Sequence, residues 1–437
     1  MADKAISDSP LVQAQLDRLD TVSAKKDLLG HERLRNLLER LGNPQDRLPP
    51  VFHVAGTNGK GSTIAYMFEA IRTQGLKAHV FTSPHLVRLN ERFRIANTLV
   101  TDKELAQLLS DVLDAVGENE TTFFETITSA ALLAFSRHDA DACILEVGLG
   151  GRLDATNIVS EPAVCGITQI GLDHQEFLGH SIEEIAAEKA AVAKRGVPLL
   201  TMEYPPSVST RIAEIAAEKG APVLSRGQAW TARIESGRLH YTDADGSLDL
   251  PMPCLVGAHQ AGNAGLAIAM LRHQADVPVP EYALSRAMEH ARWPARLQHL
   301  GTGPLTRLAP EGAEVWLDGA HNVPAMEVVI DHMRTKLAEG ETLHLVMGLL
   351  QRKDAAGLFA TLQQLDCQIH SVPIKGHDAR TPQELAAIAR EQNIPAQSYD
   401  SVGDALRAIK DKNARILIVG SLYLAGHVLA LNEEIPD

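Results

Sequence analysis

The sequence has few cysteines, few aromatic residues and no long apolar run. Its four cysteines stand far apart and form no C-x-x-C pair, which argues against a disulfide framework and a thiolate zinc site, so we interpret them as buried thiols. Aromatic residues make up 4% of the chain, which leaves few platforms for stacking on bases. No stretch approaches the ~18 apolar residues of a membrane span, and the first ten residues show no signal-peptide pattern. We therefore expect a soluble, cytoplasmic protein.

Positive charge is also scarce. The chain carries 41 Lys and Arg against 55 Asp and Glu, a formal net charge of -14 at pH 7. This balance disfavours nucleic acids and anionic membranes as partners, since both attract basic surfaces. A small anionic substrate remains compatible with it, because a site can concentrate a few lysines, arginines and metal ions locally.

Apolar strand patterns alternate with helical patterns along most of the 437 residues, which predicts an α/β fold. An amphipathic segment (residues 11–41) precedes the first strand pattern, and residues 230–255 alternate around turn residues, which predicts antiparallel hairpins appended to the main sheet. A second alternation follows Arg296. We predict an N-terminal domain of P-loop type with a mostly parallel sheet (residues 1–296) and a smaller, Rossmann-like C-terminal α/β domain (residues 297–437). Function is expected where the two domains face each other.

The strongest local motif is VAGTNGKGST (residues 54–63), between a strand pattern and a helical pattern. Glycines allow a tight turn, backbone N–H groups at a helix start face phosphates, and Lys60 adds a point charge. The motif departs from G-x-x-x-x-G-K-[ST], since two residues separate Gly56 from Gly59 and Gly61 follows the lysine. A glycine-rich turn without a ligand is the alternative. We predict ATP binding by Gly56, Thr57, Asn58, Gly59, Lys60, Gly61 and Ser62.

Polar residues follow several predicted strands. Ser83 ends the strand in FTSPHL, and Glu146 ends the strand in LEVGLGG. Ligands of open α/β sheets gather at the carboxyl ends of strands, and oxygen ligands suit Mg²⁺. Taken alone, Glu146 could instead cap a helix or form a salt bridge. His174 and Lys189, the latter on a helix with a capping-box start at Ser181, could be a structural histidine and a solvated lysine.

The loop GTNGKGS resembles the nucleotide loop of the Mur ligase superfamily. The remaining motifs resemble those of the folylpolyglutamate synthase and dihydrofolate synthase family within it, from DLLGHER at Asp27 to GSLYLAG at Gly420. The resemblance implies an ATP- and Mg²⁺-dependent ligase that adds L-glutamate to dihydropteroate and to folates through an acyl phosphate. It implies small-molecule partners, with no nucleic acid and no membrane, and we expect a monomer.

The resemblance also assigns residues. It implies that two Mg²⁺ ions are bound by Ser83, Glu146, His174 and Lys189, with a CO₂-derived carbamate on Lys189. A lysine buried near metal ions is disfavoured as an ammonium, and its neutral amine can take up CO₂ and become an oxygen ligand. Further ATP contacts are implied for Asn263, Arg296 and Asp318. His321 is expected beside the phosphates, and the residues expected to be catalytic are Lys60, Lys189 and His321.

An acceptor pocket is implied at three segments. A pterin needs apolar surface and a carboxylate, so Phe124 is expected to pack against the ring and Asp154 to accept hydrogen bonds from it. Simple core packing is the alternative for Phe124. The first segment departs from the D-L-G form typical of the family. The expected contacts are Leu29, Gly30, Thr122, Phe123, Phe124, Glu125, Leu153, Asp154 and Ala155.

Two rival interpretations are disfavoured. A Mur-type ligase for peptidoglycan precursors would not need the TFFE and LDATN segments, and only about 50 residues precede the phosphate loop, too few for a separate UDP-binding domain. A nucleotide-dependent switch without ligation would leave Glu146, His174 and Lys189 without a purpose. No N-K-x-D or T-K-x-D motif for reading guanine is present.

Overall fold

The computed structural model describes residues 5–23, 30–117 and 120–436, which form two compact units. Unit 1 extends to Cys254 and includes Gln260–Arg292, and unit 2 comprises Leu255–His259 and the chain from Trp293 onward. Leu29, one of the expected acceptor contacts, lies outside the described residues. None of the helices in these ranges is both long and apolar enough to cross a membrane.

Unit 1 is built on a large sheet of parallel strands with an antiparallel edge. Its strands are β1 (Val51–Ala55), β2 (Ala78–Phe81), β3 (Phe93–Ile95), β4 (Thr98–Leu99), β5 (Ala142–Glu146), β6 (Val164–Ile167), β7 (Leu199–Thr201) and β8 (Val223–Ser225). The order is β4-β3-β2-β5-β1-β6-β7-β8, with β3 and β4 antiparallel at one edge. Every residue of β1 and β5 is buried, as expected for central parallel strands covered on both faces. The carboxyl ends of β1, β2, β5 and β6 consequently meet at one edge.

Helices cover this sheet, and several begin with side-chain caps. They are α1 (Pro10–Val22), α2 (Glu32–Arg40), α3 (Lys60–Thr73), α4 (Asp102–Val116), α5 (Phe123–Arg137), α6 (Gln175–Leu178), α7 (Ile182–Ala190), α8 (Pro206–Lys219), α9 (Gln260–Arg272) and α10 (Glu281–His290). The predicted capping box at α7 is confirmed, with Ser181 and Glu184 each bonded to the other's backbone. Thr122 and Glu125 form a second capping box at α5.

A three-stranded antiparallel sheet packs beside α9, which confirms the predicted hairpins, although they form a sheet of their own rather than an extension of the main sheet. Its strands are β9 (Trp230–Glu235), β10 (Arg238–Asp243) and β11 (Gly246–Pro251), in the order β11-β10-β9. Asp243 of β10 accepts two hydrogen bonds from Arg272 at the end of α9, at 2.7 and 2.8 Å. Because such a bidentate pair is directional, it fixes the sheet to the helix whose other end reaches the phosphate loop.

Unit 2 contains a second α/β sheet. Its elements are β12 (Gln298–His299), β13 (Glu314–Leu317), α11 (Val323–Arg334), β14 (Leu343–Met347), α12 (Ala355–Ala360), β15 (Cys367–Ser371), α13 (Pro382–Glu391), β16 (Ala396–Ser398), α14 (Val402–Ala408), β17 (Arg415–Val419) and α15 (Leu422–Leu431). The strand order is β12-β13-β17-β14-β15-β16, and only the edge strand β12 runs antiparallel to its neighbour. The predicted fold class, a mostly parallel sheet followed by a second α/β unit, is confirmed.

Two details differ from the sequence-based expectations. The antiparallel pair β3 and β4 was not predicted, because strands of three and two residues are too short for a periodic pattern. The interpretation of all cysteines as buried thiols is wrong for Cys254, which is exposed, whereas Cys143, Cys165 and Cys367 are buried. Cys254 lies just after the hairpin sheet, where the chain leaves the core.

Candidate active site

The phosphate loop closes a tight turn between β1 and α3 that only glycine can make at two positions. Gly56 has a φ of 149°, and a Cβ there would overlap the hydroxyl of Thr168. Gly59 has a φ of 91° and immediately precedes α3, and a Cβ there would lie 2.5 Å from the side-chain oxygen of Asn263. The glycines therefore allow the neighbouring chain to approach closely as well as the backbone to turn.

Hydrogen bonds from the backbone of the loop to a neighbouring segment also hold it in place. The N–H groups of Thr57 and Asn58 both donate to the carbonyl oxygen of Gln169, at 2.8 and 3.2 Å. The Thr57 hydroxyl adds bonds to the backbone of Gly171. These two N–H groups already have an acceptor, whereas the first turn of α3 lies at the positive end of the helix dipole, which suits an anion.

Two lysines converge on one carbonyl oxygen of this loop. Lys60 Nζ and Lys189 Nζ donate to the carbonyl of Gly56 at 3.1 and 3.0 Å, and Lys60 Nζ also lies 3.8 Å from a carboxylate oxygen of Glu146. Lys189 is buried, and this burial, together with the charge of Lys60, lowers its pKa to about 7. Lys189 therefore loses its proton more readily than an exposed lysine does.

Ser83 and Glu146 lie side by side at the carboxyl ends of β2 and β5. The backbone N–H of Ser83 donates to Glu146 Oε2 at 3.1 Å, so the structure brings together these two expected metal ligands. The Ser83 hydroxyl accepts a bond of 3.2 Å from the buried guanidinium of Arg92, whose Nε donates to His85 Nδ1 at 2.9 Å. Sequence reasoning missed Arg92 and His85, whose contacts form where the chain turns back between β2 and β3.

His174 adopts a left-handed backbone conformation, with a φ of 52°, just before α6. Its Nε2 lies 4.0 Å from Asp173 Oδ1. The negative charge of Asp173 also raises the pKa of Lys189, against the larger effect of burial. Sequence reasoning missed Asp173. Within the described ranges, no group of three or more His, Cys, Asp or Glu side chains is arranged as a metal site. The oxygen donors of Ser83 and Glu146 nevertheless have the chemistry that Mg²⁺ prefers.

Helix α9 brings Asn263 to the loop, together with Gln260, which sequence reasoning missed. Both side chains are buried, and Asn263 Nδ2 donates to Gln260 Oε1 at 3.1 Å. Gln260 Nε2 in turn donates to the Ser62 hydroxyl at 3.3 Å. These bonds orient the Ser62 hydroxyl in the first turn of α3. Gln260 could have been found from the sequence, because it lies three residues before Asn263 and so on the same face of the helix.

The three segments expected to line the acceptor pocket are joined by two contacts from α2 and the residue before it. His31 Nε2 lies 2.8 Å from the carbonyl oxygen of Asp154, and Arg33 pairs with the buried carboxylate of Glu125 at 3.0 Å. These contacts bring together Gly30, Glu125 and Asp154. Neither His31 nor Arg33 was expected, since their partners lie about a hundred residues away in sequence.

Asp154 is fully engaged within the protein. One carboxylate oxygen accepts the N–H groups of Gly148 and Leu149 at 3.0 and 2.8 Å, and the other accepts the N–H and hydroxyl of Thr156. Burial raises the pKa of the carboxyl, and these hydrogen bonds oppose that rise. Two bonds on each oxygen fill its acceptor capacity, so Asp154 organises the loop after β5 in this conformation.

The other expected pocket residues differ in accessibility. Phe124 is half-buried, with its ring against Gly148 and 6.0 Å from the ring of Phe81. Phe123 is buried, and the guanidinium of Arg92 lies 5.5 Å from its ring, so Phe123 packs in the core. Thr122 and Leu153 are half-buried, and Ala155 is buried.

Unit 2 carries the remaining expected residues. Arg296 is half-buried, and its guanidinium lies beside Gly319. The buried Asp318 accepts the N–H groups of Leu297 and Ala320, each at 2.7 Å, and burial raises its pKa. His321 Nδ1 lies 2.8 Å from the carbonyl oxygen of Gly319. The segments 295–298 and 318–321 are thus tied together within unit 2.

Comparison with known proteins gives matches along both units. A family model described as "Mur ligase middle domain" matches residues 54–271, and one described as "Dihydrofolate synthetase, C-terminal domain" matches residues 304–431. The dihydrofolate synthase/folylpolyglutamate synthase of Escherichia coli (strain K12) is 35% identical over 96% of this chain and 95% of its own length. The chain belongs to the dihydrofolate synthase/folylpolyglutamate synthase family. The family predicted from the motifs is confirmed.

Solved structures of this family share the fold over nearly the whole length. E. coli FolC in complex with DHPP and ADP has a TM-score of 0.87 and 33% identity, covering 98% of each chain. A bifunctional folylpolyglutamate synthase/dihydrofolate synthase with Mn, AMPPNP and L-glutamate bound has a TM-score of 0.84 and 32% identity, covering 98% of this chain and 99% of the other. The second of these structures thus holds an ATP analogue together with a divalent metal ion.

We predict that Gly59→Ala destabilises the protein more than a matched glycine substitution. Gly75 has a φ of 87°, close to that of Gly59, but a Cβ there would meet no atom within 4 Å. Gly75→Ala should cost about 1 kcal/mol in free energy of unfolding for the backbone alone, and Gly59→Ala about 1–3 kcal/mol more, because the methyl group meets Asn263. Denaturant unfolding measures both values.

A double variant supplies the control for this prediction. Asn263→Ala removes the atom that the new methyl group would meet, so Gly59→Ala should cost less in that background than in the unaltered chain. Equal costs for Gly59→Ala and Gly75→Ala would contradict the close approach of Gly59 to Asn263.

Proposed function

We propose that this chain is an ATP-dependent ligase that adds L-glutamate to dihydropteroate and to folates. The observation that carries the proposal is the convergence of Lys60 and Lys189 on the Gly56 carbonyl, beside Glu146 and the first turn of α3. The positive charge of Lys60 at a glycine-rich helix start suits a nucleotide polyphosphate. Membership in the family supports the activity that the motifs predicted.

The reaction proceeds in two steps. An oxygen of the acceptor carboxylate attacks the γ-phosphorus of ATP, the bond to the β-phosphate oxygen breaks, and an acyl phosphate and ADP result. The glutamate amine then attacks the acyl carbon, phosphate leaves, and the amine loses a proton as the amide forms. The protein contributes mainly by holding the reactants in line and neutralising charge, with Lys60 at the phosphates.

Mg²⁺ fits the residues at this edge of the sheet. We propose that Ser83, Glu146 and His174 hold it, with Lys189 contributing a carbamate oxygen to a second ion. Bound Mg²⁺ would neutralise charge on the phosphates of ATP. The burial of Lys189 and its lowered pKa support the carbamate, because CO₂ reacts with a neutral amine.

The remaining ATP contacts are proposed for residues of both units. In unit 1 they are Asn263 and the loop residues Gly56, Thr57, Asn58, Gly59, Lys60, Gly61 and Ser62. In unit 2 they are Arg296 and Asp318, with His321 at the phosphates as a catalytic residue. A guanidinium is suited to bidentate phosphate binding, and Asp318 keeps one acceptor position on each oxygen for ribose hydroxyls.

We propose that the acceptor lies against Phe124, among the segments that His31 and Arg33 tie together. The half-buried ring of Phe124 supplies a stacking surface for a pterin. Because four hydrogen bonds fill the acceptor capacity of Asp154, its contribution to dihydropteroate binding is first to fix the loop after β5. The proposed partners are these small molecules alone, and the chain is proposed to act as a monomer.

The decisive assay measures two products. With Mg²⁺, ATP and L-glutamate, the protein should release ADP and form the amide with dihydropteroate and, in a separate reaction, with a reduced folate monoglutamate. Lys60→Ala should lower the rate by about 100-fold or more, because it removes the charge nearest the phosphates. Activity with the folate but not with dihydropteroate would exclude the addition of glutamate to dihydropteroate. Activity only with a UDP-linked muramyl acceptor would overturn the proposal.

Lys189 offers a second test. We predict that Lys189→Ala loses most ligase activity and that short carboxylates such as acetate restore part of it by supplying the missing oxygen ligand. Lys189→Arg is the matched control, since it keeps the positive charge but forms no carbamate. In the unaltered protein, ¹³CO₂ should give a carbamate carbon signal that is absent in both variants. Full activity without CO₂ and without that signal would contradict the carbamate.

A further inference from the structure

Arg296 lies between two residues whose backbones are strained. Ala295 and Leu297 have φ values of 55° and 43°, in the left-handed region that residues with a Cβ rarely adopt. Both are buried. Backbone strain on both sides of one residue persists only where surrounding contacts enforce it. The contacts of this segment therefore show what fixes the direction of Arg296.

Hydrogen bonds hold the backbone on each side of Arg296. On one side, the carbonyl oxygen of Ala295 accepts the N–H of Gly319 at 3.1 Å, and the N–H of Ala295 donates to Gln298 Oε1 at 2.9 Å. On the other side, the N–H of Leu297 donates to Asp318 Oδ2 at 2.7 Å. Two side chains, those of Gln298 and Asp318, therefore accept hydrogen bonds from the backbone on either side of Arg296.

Gln298 is itself fixed by the C-terminal end of the described chain. Its Nε2 donates to Glu434 Oε2 at 2.8 Å. The other oxygen of Glu434 accepts the N–H of Gly301 at 2.8 Å and Asn432 Nδ2 at 2.6 Å. Because a carboxylate only accepts and the N–H of Ala295 only donates, one orientation of the Gln298 amide satisfies both neighbours.

We infer that Gln298, held by Glu434, is a positioning residue that sets the direction of the Arg296 guanidinium. The inference rests on the proposed role of Arg296 in binding the phosphates of ATP. A guanidinium must meet phosphate oxygens in a defined plane, so loss of the Gln298 contact should lower the rate of phosphoryl transfer through Arg296. The residues from 432 to 434 thereby contribute to the site without touching a substrate.

An exchange of the two side chains tests this inference. Gln298→Glu keeps an acceptor for Ala295 but places a second carboxylate against Glu434, and kcat should fall about tenfold or more with a smaller change in KM for ATP. Adding Glu434→Gln restores a hydrogen bond between the two side chains. The amide at position 434 then donates, and the carboxylate at position 298 accepts. The double variant should recover to within about threefold of the unaltered chain.

Two controls separate positioning from general loss of structure. Gln364→Glu adds the same charge at an exposed position of unit 2 and should leave kcat unchanged. In an Arg296→Ala background, Gln298→Glu should have less than about a twofold effect, because a residue that acts through Arg296 has nothing left to position. Thermal melting of every variant reports whether the fold is retained.

The possible outcomes are distinct. An equal loss from Gln298→Glu with and without Arg296, or no recovery in the double variant, would overturn the inference. Unaltered activity of Gln298→Glu would also overturn it while leaving the proposed function standing. Failure of the proposed function would show instead as no amide product from the unaltered chain.

Discussion

The carbonyl oxygen of Gly56 accepts hydrogen bonds from Lys60 and Lys189, and the unit 1 site is organised around this shared acceptor. Glu146 is one carboxylate near Lys60, and burial, followed by the charge of Lys60, lowers the pKa of Lys189. A bound polyphosphate would bring further negative charge to Lys60. Thr168 leaves no space for a Cβ at Gly56, so a side chain there would disturb the residue whose carbonyl both lysines contact.

Positioning of this kind recurs throughout the molecule. Phosphoryl transfer requires little covalent chemistry from a protein, so its groups must be held in place before the substrates arrive. Backbone bonds to Gln169 hold the loop, Gln260 orients Ser62, and Arg92 bonds to the hydroxyl of Ser83. In unit 2, the left-handed backbone of Ala295 and Leu297 and the Gln298 amide hold the segment that carries Arg296. In this account, much of the chain serves to limit the freedom of a few charged groups.

Local patterns explain what could be predicted from the sequence. The strand before Gly56, the capping box at Ser181 and the hairpins after Trp230 each depend on neighbouring residues, and each was predictable. Contacts between distant segments were not. The pairings of His31 and Arg33 arise only when segments far apart in sequence become neighbours. Asp154 bonds within its own loop, but the sequence alone does not show which backbone groups its carboxylate accepts. The motifs thus identified the family, while the supporting contacts required the structure.

The central claim is that the acceptor is activated as an acyl phosphate before the amide forms. The most direct test uses dihydropteroate labelled with ¹⁸O in its carboxylate and follows the label into the released phosphate by mass spectrometry. The account predicts one ¹⁸O atom in the phosphate for each amide formed, because the attacking carboxylate oxygen leaves with the phosphoryl group. Amide formation with unlabelled phosphate would contradict it.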